Sequence, residues 1–273
     1  MPTPSDLAPP PSDDAVRENI QDALQDYEEM DLIIELIQNS IDAIELRRYR
    51  NICAAAGLET NEDTKQKWNR VVDDLIKADC QQYERAKDDM STLGAWYIRA
   101  LEDDNRRSEW WNKLASEFDT DASELESAAK SFRPEIRINV WAQSRVFEII
   151  DNGVGFDDII QQFQHKNSQK RNRRTDRRRG VRGNHGWGLS AILGFSNDLK
   201  VISKKENEIS KGVIFQNFNS WVRYEDDVNM EELSDIEECP IFDNCGTSVK
   251  VKMPSGNDLT NELSWVFANY NSD

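Results

Sequence analysis

A carboxylate, an amide and a second carboxylate stand four and then three residues apart in Glu35-Leu-Ile-Gln-Asn39-Ser-Ile-Asp42-Ala43. On a helix, Glu35, Asn39 and Asp42 fall on one face, one turn above the next, while Leu36, Ile37, Ile41 and Ile44 take the other faces and bury the helix. Burying polar groups without partners costs roughly a few kcal/mol each, so this face calls for something that satisfies it. An amide oxygen suits Mg2+, which takes oxygen ligands and commonly shares its shell with nucleotide phosphates. A carboxylate beside it can orient or deprotonate an attacking water. A charged face that is simply solvated is the other reading of the same residues.

Three further segments have chemistry available to them. Ile149-Ile-Asp151-Asn-Gly153-Val-Gly155-Phe156 follows a strand pattern. Its glycines let the backbone turn sharply and let a flat ligand approach, and Asp151 can accept from an exocyclic amine such as that of adenine. An ordinary Asp-Asn-Gly turn is the alternative. Arg182-Gly183-Asn184-His185-Gly186-Trp187-Gly188-Leu189-Ser190 is a glycine-rich loop running into a helix, where bare backbone N–H groups make a phosphate cradle. It lacks the context of a dinucleotide fingerprint and the Gly-Lys-Ser/Thr of a P-loop. Gly246-Thr247-Ser248-Val249 opens the last strand pattern, with a hydroxyl that could hydrogen-bond beside Asp151.

The elements that must position these groups follow from periodicity. Apolar residues at three- and four-residue steps predict helix from about residue 13 to 49, and again through 60–131, where Gly and Pro are few. After Pro134 the period changes to two. Glu135 to Trp141 and Arg145 to Ile150 alternate around a Gln143-Ser144 turn, which predicts a β-hairpin. A short helix is expected at 157–165, a basic loop at 166–182 and a helix at 187–195. Strands are expected at 199–203, 212–224 and 247–253, and a helix at 259–269. Strands joined by hairpin-like connections, with helices before and between them, predict an α+β fold, a mostly antiparallel sheet with helices on one face.

All four segments, in this order, resemble the GHKL superfamily of ATPases, which joins gyrase B, the ninety-kilodalton heat-shock chaperone, histidine kinases and MutL. The N-box resembles Glu35 to Ala43, the two glycine boxes resemble Asp151 to Gly155 and Gly183 to Leu189, and the threonine box resembles Gly246-Thr247. The motif style is nearest to the MORC- and chaperone-like branch. The resemblance implies the Bergerat fold, a two-layer α+β sandwich whose sheet is mixed but mostly antiparallel, and it implies ATP and Mg2+ as ligands. Glu35 becomes the general base that activates water and Asn39 the Mg2+ ligand, with Asp42 and Ala43 at the nucleotide edge. Asp151 accepts from the adenine amine, Thr247 shares a water with it, and Gly153, Gly155 and Phe156 let adenine lie close. Backbone amides of Gly183, Asn184, His185, Gly186, Trp187, Gly188 and Leu189 hold the phosphates. The segment 157–182 becomes the ATP lid, with Lys166 reaching a phosphate.

Within the superfamily, a sensor histidine kinase does not fit, because Glu35 is present and neither His165 nor His185 lies upstream of the N-box. The hydrolysing branch implies slow ATPase activity, ATP-dependent homodimerisation and a transducer element with a lysine for the γ-phosphate. About twenty residues follow the threonine box, so that element is expected on a further domain or a partner chain. A nucleotide sensor that does not hydrolyse is the competing reading. Roles in DNA management or antiviral defence rest on analogy with bacterial members of the superfamily.

Composition limits the alternatives. The 273 residues carry 51 acids against 34 Lys and Arg, a net charge of −17, which excludes a globally basic nucleic-acid binder. The charge is uneven: Lys166 to Arg182 holds nine basic residues and one acid, net +8, leaving −25 on the rest. That stretch is read as a mobile lid, with nucleic-acid contact through Arg171–Arg182 as the second reading and an acidic docking partner as the third. No apolar run approaches the ~20 residues of a membrane span. The N-terminal 1–14, rich in Pro and acid, reads as a disordered tail and not as a secretory signal, and residues 15–273 read as the ATPase domain. Cys53, Cys80, Cys239 and Cys245 match no disulfide framework or zinc spacing, so a cytoplasmic setting is expected. Residues 57–132 form a helical insertion containing Trp68, Trp96, Trp110 and Trp111. It is read as helices packed on the domain edge or, if the tryptophans are exposed, as a docking surface.

Overall fold

A computed structural model describes residues 17, 21, 29–61, 63, 64, 66–68, 70, 71, 74, 104–159, 188–196, 198–217, 222, 223, 229–233 and 244–253. They divide into two compact units. One takes the described residues up to Ser40, those of 135–159 and those from 188 onward; the other takes those of 41–134.

The first unit is built on a six-stranded sheet in the order β1-β2-β6-β3-β4-β5. The strands are β1 (Ile136–Trp141), β2 (Val146–Asp151), β3 (Asp198–Lys204), β4 (Lys211–Gln216), β5 (Asn229–Glu232) and β6 (Gly246–Lys252). Every pairing is antiparallel, so the parallel component expected of a mixed sheet does not occur among the described residues. The hairpin at 135–150 is present, with Arg145 in the left-handed region after a 3-10 turn at Ala142–Ser144. Alternation sends Phe147, Ile149, Leu199, Val201, Val213, Phe215, Val249 and Val251 to one face, all buried. The opposite face carries Arg137, Asn139, Glu148, Lys200 and Lys250. The strand expected at 212–224 stops at Gln216, where Asn217 turns left-handed with φ 60°. Asn229-Met-Glu-Glu, which has no alternating apolar pattern, pairs with β4 as an edge strand. Helices in this unit include the first part of α1 (Glu29–Ala55), where Ile33, Leu36 and Ile37 are buried, and a helix at Gly188–Phe195, where Ile192 and Leu193 are buried. The architecture is α+β.

The second unit contains α1 from Ile41 on, α2 (Asp104–Phe118) and α3 (Ala122–Ser131). Helix α1 runs past the expected end at Tyr49. It stops at Gly57, whose φ of +66° closes a Schellman cap: Leu58 N–H donates to Cys53 O (2.8 Å) and Gly57 N–H to Ala54 O (3.0 Å). Leu58 then packs on the core. Asp121 caps α3 by accepting from the Ser123 N–H at 2.7 Å.

The tryptophans of this unit form its core. Tyr49, Trp68, Trp110 and Trp111 make a chain of ring contacts, edge-on for the first two pairs (centroids 4.9 and 5.0 Å) and tilted at 4.4 Å for the third. Trp68, Trp110 and Trp111 are buried, which corrects the docking-surface reading for these three; Trp96 lies outside the described residues. In the two edge-on pairs one ring's positive edge meets its neighbour's negative face. Trp68→Ala is expected to destabilise the protein by about 3–5 kcal/mol, read as a lowered urea midpoint.

Cys53 and Cys245 are buried thiols, and Cys80 and Cys239 lie outside the described residues. No helix among the described residues is long and apolar enough to cross a membrane.

Candidate functional site

Three neighbouring strands of the first unit turn polar at one end of their inward face. In β2, β6 and β3 the inward phase runs Phe147-Ile149-Asp151, Val251-Val249-Thr247 and Leu199-Val201-Ser203. Asp151 pairs in register with Thr247, and Thr247 with Ser203. All three are buried, at 4, 3 and 3% exposure. Three buried polar side chains in a row are costly unless each is satisfied, and most of the partners can be named.

The Asp151 carboxyl takes three donors. Its Oδ1 accepts from the Gly153 N–H at 2.8 Å and its Oδ2 from the Ser40 hydroxyl at 3.1 Å, and the Thr247 backbone N–H also donates to it. Burial nevertheless dominates and pushes its pKa up from 3.8 to about 7, against the lowering effect of Gly153, Ser40 and Thr247 in that order. A carboxyl so close to neutrality gains from one more donor, which would hold it ionised.

The turn after β2 is pinned from both sides. Asn152 side-chain oxygen accepts from the Glu135 N–H (2.9 Å) and ties the turn to the start of β1. Phe156 N–H donates to Ser203 Oγ at 2.7 Å, and Lys205 Nζ reaches Asp157 at 2.6 Å and Glu208 at 3.2 Å. Gly155 sits at φ +72°, where a Cβ would collide with the Lys204 carbonyl and lie 3.2 Å from Ser203 Oγ. Close approach of the β3 backbone therefore already requires this glycine, whatever ligand approaches it. Gly155→Ala is expected to cost at least about 2 kcal/mol, combining a left-handed φ with a backbone clash, read from denaturant unfolding.

Helix α1 carries Glu35 and Asn39, both half-buried, on one face, and brings Ser40 to Asp151. Asp42, buried, and Ala43, half-buried, continue the same helix but fall in the second unit. Gly188 and Leu189 open the helix that ends at Phe195. Lys166, Gly183, Asn184, His185, Gly186 and Trp187, with the Arg-rich stretch 171–182, lie outside the described residues, as do the helix expected at 259–269 and all of 157–165 beyond Ile159.

Two site residues were not singled out from the sequence, Ser40 and Ser203. Both had a signal. Ser40 is four residues after Leu36 and three after Ile37, a hydroxyl in an apolar stripe, and Ser203 takes the apolar phase of a strand after Leu199 and Val201.

Residues 119–247 match the family model of the Histidine kinase-, DNA gyrase B-, and HSP90-like ATPase. The match takes in Asp151, both glycine segments and Thr247, and stops short of Glu35 to Ala43, which precede it. It supports a GHKL-type ATP-binding domain. No curated protein matches the chain.

Proposed function

We propose that the first unit binds ATP with its base at the Asp151–Thr247 row, hydrolyses it slowly with Mg2+ and uses the nucleotide state to gate dimerisation or partner engagement. The observation that carries this reading is the buried Asp151 carboxyl, held by three donors yet still near neutrality. A ligand amine directed at it adds the donor that favours the carboxylate, and the neighbouring Thr247 hydroxyl can serve the ring nitrogen beside that amine. Glu35 is assigned as the base for the attacking water.

The donor set fits Mg2+ in the way nucleotide enzymes hold it. Among the described residues no three His, Cys, Asp or Glu side chains gather to cage a metal, and Asn39 offers one amide oxygen, with the remaining ligands expected from phosphate and water. Bound there, Mg2+ neutralises phosphate charge. Asn39 is assigned to hold it and Asp151 and Thr247 to orient the base. The Gly183–Leu189 backbone is assigned to the phosphates, and the MORC- and chaperone-like branch remains the reading for its subfamily.

Calorimetry with ATP and phosphate release at steady state test the reading, and absence of ATP binding would overturn it. Sedimentation with a non-hydrolysable analogue tests gating, with a dimer expected only when the analogue is bound. A pH dependence is also expected. The ligand amine prefers ionised Asp151, whose fraction falls as pH drops below about 7, so affinity is full above that pH and lost below it. Adenosine has no phosphate to titrate in this window, and its Kd should rise up to about tenfold from pH 8 to 6, measured by NMR titration.

A further inference from the structure

We propose that the free edge of β1 is where two copies of this chain meet, pairing antiparallel about a two-fold axis at Asn139 so that the two sheets become one. This rests on the reading that the nucleotide state gates dimerisation, and it names the surface that does so.

Strand β1 ends the sheet, and among the described residues nothing pairs with its outer side. Its unused backbone groups can be assigned. Asn152 N–H donates to Glu135 O, and bonding alternates along an antiparallel ladder. Glu135, Arg137, Asn139 and Trp141 therefore bond toward β2, while Ile136, Ile138 and Val140 turn their N–H and C=O groups to the free edge. Sheet edges are normally blunted by lysine, proline, a bulge or a covering segment. This strand has neither Lys nor Pro and runs in unbroken register with β2. Its one charge, Arg137, is paired with Glu135 at 2.9 Å. Two of the three exposed large hydrophobics among the described residues, Val140 at 38% and Trp141 at 43%, lie on it. An edge left open and apolar is a template for another strand.

The strand's own sequence selects a second copy. Continuing a sheet across a two-fold axis requires paired residues to share a face, so odd positions meet odd and even meet even. Centred on Asn139, Ile138 meets Val140 of the second copy on the inward face, while Asn139 meets Asn139 and Trp141 meets Arg137 on the outward face. The two exposed apolar residues gain an apolar and a cationic neighbour, and no like charges stand opposite each other. The Trp141 ring takes a cation already on its own sheet, Lys250 Nζ at 4.4 Å from its centroid. Centring at Ile138 would set Trp141 against the Glu135 carboxylate, which an aromatic face repels, and centring at Val140 would cut the ladder to Asn139–Trp141. The edge is also tied to the nucleotide site. Asn152, next to Asp151, accepts the Glu135 N–H at 2.9 Å and returns its own N–H to Glu135 O at 3.2 Å.

The test places a cysteine on the axis. Asn139 would face its copy in a non-hydrogen-bonded pair, with Cα atoms about 4.5 Å apart and within disulfide reach. Oxidised Asn139→Cys, with a non-hydrolysable ATP analogue bound, should give covalent dimer well in excess of wild type. Ile138→Cys should not, because its copies would stand diagonally at about 7–8 Å. Val140→Lys puts a charge against Ile138 twice across the axis and should raise the dimer Kd at least about tenfold, with ATP affinity within about threefold of wild type. Arg137→Glu, at an exposed position, serves if that variant does not fold, and the same loss is expected. No excess crosslink at Asn139→Cys, a crosslink at Ile138→Cys in its place, or a folded edge variant that dimerises like wild type overturns the inference while leaving dimerisation standing. A wild type that binds the analogue yet stays monomeric in sedimentation overturns the gating reading and this inference together, and leaves the edge to a strand of another protein.

Discussion

Asp151→Asn is expected to weaken ATP binding by about a hundredfold or more while the protein remains folded. The amide can still accept from the Gly153 N–H, and it has the carboxyl's shape, so the turn survives. Its other end becomes an NH2 group. A ligand amine that met an acceptor now meets a donor, losing a charge-assisted hydrogen bond of about 1.5–3 kcal/mol and leaving a buried donor unsatisfied. Calorimetry on both proteins measures the loss, and equal affinity would remove Asp151 from the base site. Stability should move the other way with pH. Since burial raises Asp151 from 3.8 to about 7, between these values the native state holds a proton that the unfolded chain has released. Wild type therefore loses stability relative to Asp151→Asn as pH climbs from 4 to 7, by up to about 4 kcal/mol, and the difference is constant above 7. Urea midpoints at pH 5 and 8 read this directly. A variant whose stability relative to wild type rises toward neutral pH while its ligand affinity falls is what a carboxyl kept for binding predicts.

Glu35→Ala is expected to lower steady-state ATP turnover by about 10²- to 10⁴-fold with Kd for ATP within about threefold of wild type. The separation follows from position. Glu35 lies one helical turn before Asn39 on a half-buried face, and the hydroxyl that this helix gives to Asp151 is that of Ser40. A residue that acts on water alone changes the rate and not the ground-state grip on the base. Single-turnover phosphate release beside equilibrium binding makes the measurement. Equal rates in the two proteins would take the base role away from Glu35.

Much of this was legible from short-range pattern. Alternation located β1, β2, β3 and β6 to within a residue or so at most ends, and three- and four-residue apolar steps located α1 and the helices before Pro134. Asp151, Thr247 and the two glycines stood out because their types are unusual where they occur. The edge strand β5 was not legible, since Asn229-Met-Glu-Glu has no apolar phase and is a strand only through its ladder with Val213 to Gln216. The overlong strand at 212–224 failed for a related reason, because its β pattern continues past the left-handed Asn217 that ends it. For the tryptophans, residue type suited either a core or a docking surface, and only the burial of Trp68, Trp110 and Trp111 in the folded unit decided for the core.

By itself, the sequence determined what neighbours along the chain can impose: the shared face of Glu35 and Asn39, the phase of each strand, the turn at Gly153–Gly155 and the order of the four motifs. The tertiary structure alone decided which distant groups meet and in what state. Ser40 donates to an Asp151 that lies 111 positions away, and Ser203 holds the backbone of Phe156 from 47 positions away. The near-neutral pKa of Asp151 belongs with these. Spacing reaches only as far as a helical turn or a strand pair, whereas desolvation is set by everything packed around a group, and that packing exists only once the sheet and helix have closed over it.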